Sequence, residues 1–103
     1  MRRFFLSVLL SAGVMLATAN AATIAKRRTN QQARIAQGAR SGQLTKHETA
    51  RLERHQAHIT RQVHRDRAAN GGHLTTGERR QVRHEQNRNS RQIYRAKHNA
   101  RVR

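Results

Sequence analysis

The chain has no cysteine, no proline and no tryptophan, a single tyrosine, and only five acidic residues among 103. Each shortage excludes something. Without cysteine there is no disulfide staple, no thiolate nucleophile and no zinc-thiolate site. With Tyr94 as the only aromatic outside the first residues, no stacking platform for nucleobases can be assembled from the sequence alone. The large aliphatic residues beyond residue 22 are few: Ile24, Ile35, Leu44, Leu52, Ile59, Val63, Leu74, Val82, Ile93 and Val102. A chain this short is already marginal for burying a core. Low hydrophobicity with high net charge moves it toward the disordered class, so partial disorder in the free state is expected. Stability then has to come from helix propensity, self-association into a homo-oligomer, or a bound partner.

Nearly all the apolar length lies at the start. Arg2 and Arg3 precede an apolar run from Phe4 to Leu16, and small residues follow, with Ala19 and Ala21 in an A-x-A arrangement. This order is that of a cleavable signal peptide over residues 1–21, cut after Ala21, and it points to a periplasmic or secreted protein. The run is shorter than the roughly 20 residues a membrane span requires. The absence of a cysteine at the junction excludes a lipoprotein. The expected organisation is a leader, 1–21, and one small basic helical domain, 22–103.

What is abundant is positive charge. The formal net charge is +17, from 22 Lys and Arg, and of these only Arg2 and Arg3 lie in the leader. Absence of proline and, beyond the leader, confinement of glycine to positions 38, 42, 71, 72 and 77 leave long stretches of Ala, Arg, Gln, Glu and His, good or tolerable helix formers. The expectation is an all-α chain with amphipathic helices at about 23–37, 45–68 and 75–100. Leu52, Gln56, Ile59 and Val63 form one narrow stripe. Val82, Gln86, Asn89 and Ile93 repeat it thirty residues later, and Ile24, Arg28, Gln31 and Ile35 repeat it earlier. The connections repeat too, as SGQLTKHE (41–48) and GGHLTTGE (71–78). This is an internal duplication.

Each connection ends in T-x-x-E. Thr45 with Glu48, and Thr75 with Glu78, fit a capping box, with Leu44 and Leu74 placed as hydrophobic staples. The glycines upstream suit the left-handed residue that closes a helix. Helices two and three are expected to pack as a hairpin, with helix one looser.

The connections also keep the frame of a degenerate EF-hand loop. With Leu74 at the eighth position, Gly72 falls at the sixth and Glu78 at the twelfth, and Leu44, Gly42 and Glu48 match likewise. The first, third and fifth positions are Arg67, Ala69 and Gly71 in one loop and Gln37, Ala39 and Ser41 in the other. Calcium needs oxygen ligands there, mostly carboxylates, so no calcium is expected.

A second stripe is cationic. It comprises Arg54, His58, Arg61 and Arg65 with Arg51 alongside, and His84, Arg88, Arg91 and Arg95 with His98 following. Few acids lie three or four residues away to neutralise it. These residues are the candidate site for anionic polymers or surfaces: lipopolysaccharide, anionic phospholipid headgroups, acidic polysaccharide or nucleic acid. Nucleic acid would be held through phosphates without sequence readout. Adsorption to headgroups is expected rather than insertion, because interfacial helices carry Trp, Phe or Leu on their apolar face.

Seven histidines raise metal binding as the alternative, together with an envelope role under acid or metal stress. His55 and His58 lie three apart on one helix face; His47, His64, His73, His84 and His98 are scattered. No spacing makes three or four ligands converge, so no metal site and no cofactor are expected. There is no G-x-S-x-G and no H-E-x-x-H, and too few residues remain to line a pocket, so an enzyme or a small-molecule substrate is not expected.

The strings RIAQGARSGQLTKHETARLE (34–53) and RDRAANGGHLTTGERRQVRHEQNRNSRQIYRAKHNA (65–100) resemble a group of small exported proteins of proteobacteria and acidobacteria with duplicated G-x-L-T-x-x-E helix–turn–helix repeats. Gly77 departs from that pattern, where a better helix former would be expected. The resemblance implies export and duplication, and it brings no activity and no catalytic residue.

Overall fold

Why the first helix stops where it does is decided by Gly42 rather than Gly38. The computed structural model describes residues 2–99, with side chains from residue 21 onward, so the side chains of the expected leader up to residue 20, and Val102, lie outside the described residues. Three α-helices and no strand occur among them: α1 Arg2–Ser41, α2 Lys46–Ala69 and α3 Thr76–Lys97. The first extends beyond the expected 23–37 at both ends. Gly38 stays helical and buried because Leu44 folds back over it; a Cβ there would lie 2.7 Å from Leu44 Cγ and Cδ1. The left-handed residue is Gly42, with φ 79°. Leu44 N–H then donates to Gly38 O at 3.0 Å.

The second connection uses Gly71 and Gly72, at φ 65° and 93°. Gly72 N–H reaches Arg67 O at 2.7 Å, a Schellman closure of α2. Both following helices begin in a capping box. Thr45 Oγ1 accepts from Glu48 N and Thr75 Oγ1 from Glu78 N, each at 3.1 Å, and each glutamate accepts from its cap's N–H at 2.9 Å.

The short connections make the helices run up, down and up, with α1 and α3 parallel. Positions 51–65 and 81–95 follow the same succession of buried, half-buried and exposed residues. One end of the bundle holds Ile35, Leu44, Leu52, Ile93 and Ala96; the other holds Ile59, Val63, Leu74 and Val82 with Ile24 against them. Between these two apolar clusters lies a layer of buried amides: Gln31, Gln56, Gln86 and Asn89. Gln56 Nε2 donates to Gln31 Oε1 (3.1 Å), Gln31 Nε2 to Gln86 O (2.7 Å), and Gln86 Nε2 to Ile24 O (3.2 Å). Gln86 Oε1 and both amide atoms of Asn89 have no partner.

Two expectations are corrected. Helix one is not looser than the hairpin: α1 packs against both α2 and α3. Arg34 donates to Ser90 Oγ (2.7 Å) and Ser90 O (3.2 Å), and Lys97 Nζ to Gln37 Oε1 (2.5 Å). Beside Ile24 and Ile35, its docking uses amides and a guanidinium, which an apolar pattern does not register. Nor does Arg28 belong to the inner stripe; it is exposed, and Arg27 is half-buried instead. The buried line on α1 runs through Gln31, Ile35 and Gly38, with half-buried Ile24 extending it and Arg27 and Arg34 at its margin.

Candidate anion-binding groove

The antiparallel pairing of α2 with α3 brings their flanking residues face to face in successive rungs. At one end Asn99 Nδ2 donates to Glu48 Oε2 at 3.1 Å. Next, Arg51 and Arg95 line one recess of ≈ 530 Å³, together with His55 and Gln92. His55 Nδ1 and Gln92 Oε1, 2.8 Å apart, form the central rung. Beyond it His58 and Arg88 line a second recess of ≈ 220 Å³, over Ile59 and Asn89 and beside Glu85. The last rung is Gln62 with Glu85: with its amide turned to match its neighbours, Gln62 donates to both carboxylate oxygens at 3.0 and 3.1 Å.

Helix geometry explains the ladder. Residues 48, 51, 55, 58 and 62 advance by three and four along α2, as 85, 88, 92 and 95 do along α3, so each set keeps to one side; Asn99 lies two residues past the end of α3. This side borders the buried stripe. The expected basic stripes therefore divide. Arg51, His58, Arg88 and Arg95 flank the groove, while Arg54, Arg61, Arg65, His84 and Arg91 are exposed elsewhere on α2 and α3.

All nine of these side chains are exposed, and none has a hydrogen bond or acidic partner among the described residues. Three of the five carboxylates have other partners: Glu48 and Glu78 serve the caps, and Glu85 faces Gln62. By contrast, Arg34 is tied to Ser90, and Arg79 to Leu74 O at 2.9 Å. A surface with this surplus of unpaired guanidinium presents a positive field to its surroundings.

The apolar and basic patterns gave no sign of Gln92, Gln62 or Asn99 as groove residues. Their signal is available only by writing α2 and α3 antiparallel and reading across the pair. Tyr94 was noted only as a lone aromatic; it is 58% exposed and stacks on His98, ring centroids 4.1 Å apart and planes at 20°. Arg34, Ser90, Arg91 and Arg95 surround it on the α1/α3 side.

The histidines do not gather. His55 is half-buried against Gln92, and His47, His58, His64, His73, His84 and His98 are exposed. Among the described residues no three of His, Asp or Glu are placed to hold one metal ion, and no helix is long and apolar enough to cross a membrane. Comparison with known protein families, curated proteins and solved structures finds no match to this chain.

Proposed function

We propose that this chain is an exported, basic, three-helix interaction protein that holds anionic polymers or surfaces without specificity for their sequence and catalyses no reaction. The observation that carries this reading is the set of nine exposed cationic-type side chains without partners: Arg51, Arg54, His58, Arg61, Arg65, His84, Arg88, Arg91 and Arg95. Mutual repulsion among them opposes folding of the isolated chain, and a polyanion laid against them removes that penalty. Binding of this kind is driven by release of condensed counterions and falls steeply with salt. Export rests on residues 1–21, whose order of charge, apolar run and A-x-A matches a leader. Lipopolysaccharide, phospholipid headgroups, acidic polysaccharide and nucleic acid share the required chemistry.

The test is chromatography on immobilised heparin, paired with circular dichroism. Retention beyond about 0.15 M salt, with a gain in helical signal when heparin is added, is the expected result. Elution at low salt with an unchanged spectrum overturns the proposal.

A further inference from the structure

Within the broad basic surface, the α2/α3 groove has a definition the rest lacks. Two of its rungs set cation-forming side chains opposite each other, Arg51 with Arg95 and His58 with Arg88, and none of the four has an acidic partner among the described residues. Like charges facing across a helix pair destabilise it unless an anion lies between them. Guanidinium groups suit a phosphate because their planar N–H pairs match two of its oxygens. The rungs are seven residues apart on each helix, about 10 Å at the rise of an α-helix.

The groove is also bounded. The Asn99–Glu48 contact closes one end and the Gln62–Glu85 contact the other, so one carboxylate lines the outer edge of each recess. A long polyanion threaded along the groove would meet Glu48 at one end and Glu85 at the other. A compact ligand lies between these two end rungs, with two cation-forming side chains set against one carboxylate in each recess. Between the two rungs, the His55 Nδ1–Gln92 Oε1 contact spans the groove and carries polar groups.

We infer that this groove is a discrete site for a compact ligand bearing two phosphate groups about 10 Å apart, one held by Arg51 and Arg95 and the other by His58 and Arg88. The inference deepens the polyanion reading and rests on it. The remaining arginines serve diffuse attraction, and the groove selects for the spacing of two anions. The ligand chemistry is that of a bisphosphorylated sugar or polyol, free or as the headgroup of a glycolipid.

The experiment is isothermal titration of the full chain with fructose 1,6-bisphosphate as a probe of separated phosphates. 2,3-Bisphosphoglycerate serves as a probe of adjacent ones, alongside inorganic phosphate. One-to-one binding of the first, at least roughly tenfold tighter than either of the others, is expected. Arg51→Gln and Arg95→Gln should each lower that affinity about tenfold, with Arg40→Gln, a charge-matched change on α1, leaving it unaltered. These two variants carry a second diagnostic. Relief of the facing charges should raise the melting temperature of the free chain, whereas a purely structural role for either arginine would lower it.

Equal affinity for all three probes, or affinity indifferent to Arg51 and Arg95, overturns the inference. So does a melting temperature lowered by both variants. Heparin retention without bisphosphate binding removes the discrete site and leaves the polyanion reading standing; loss of both removes both. Where the probe binds, its displacement by vesicles holding a bisphosphorylated glycolipid assigns the site to a lipid headgroup. Failure of such vesicles to displace it assigns the site to a soluble bisphosphate.

Discussion

Gln56 donates its side-chain amide to Gln31 Oε1 at 3.1 Å in the middle of the bundle, with both residues sealed from solvent. This contact ties α2 to α1, and Gln31 passes the connection on to α3 through Gln86 O. Beside it, Asn89 is equally buried yet has neither donor nor acceptor satisfied. Two neighbouring amides thus make opposite contributions.

Substitution at these two positions should separate them. Gln56→Leu leaves Gln31 Oε1 without its donor and is expected to cost about 1–3 kcal/mol. Asn89→Leu, which keeps the branching and removes two unpartnered polar atoms, should stabilise by about 1–2 kcal/mol. Urea unfolding of the two variants against the parent chain measures both signs.

Three glycines should respond differently to alanine. Gly38→Ala drives a methyl into Leu44 at the point where α1 meets the first turn, and should destabilise by about 1–3 kcal/mol. Gly72→Ala places a side chain at φ 93° and should cost about 1–2 kcal/mol. Gly77 lies in the first turn of α3 with nothing near its would-be Cβ, so Gly77→Ala should gain about 0.5–1 kcal/mol. Thermal melts followed by circular dichroism rank the three.

The caps are equivalent in geometry and should be close in cost. Thr45→Ala and Thr75→Ala each remove the hydroxyl that accepts from an N3 amide, for about 1 kcal/mol apiece. Chemical unfolding of each variant and of the double variant would show near-additivity, since the caps belong to separate turns.

Because α1 is docked on both partners, its amides should exchange slowly. Hydrogen exchange over residues 31–38 is expected to approach the protection of α2 and α3, and Arg34→Ala should reduce it by freeing Ser90. Fast exchange across α1 with slow exchange elsewhere would contradict this packing.

The diffuse surface has its own signature. Replacing Arg54, Arg61 and Arg65 together with Gln should lower the slope of log affinity for duplex DNA against log salt by about two to three. Fluorescence titrations at several salt concentrations give that slope directly.

Much of the fold was legible in the sequence. Leu52, Ile59, Val63, Val82 and Ile93 fall in the core because helical spacing leaves them no other side to share, and Thr45 and Thr75 begin helices through local bonds three residues long. The end of α1 was misread because a glycine has two uses. Gly38 looked like a stop, and its backbone is helical because it makes room for Leu44. The docking of α1 was underestimated for a related reason: Gln31 and Arg34 count as polar in any periodicity, although one is buried and the other bonds across to Ser90. For the groove, the cations were visible in the sequence and their partners across it were not.

Local composition settled the helical class, the caps of α2 and α3 and the sign of the charge, since each depends on residues within one or two turns of each other. Only tertiary structure could decide which arginines face one another. Opposing Arg51 to Arg95 and His58 to Arg88 requires the register of two helices separated by a turn, and that register is set by Leu44, Leu74 and the buried amides packing between the helices. Charge is a property of the residue, whereas a pair of facing charges is a property of the packing beneath it.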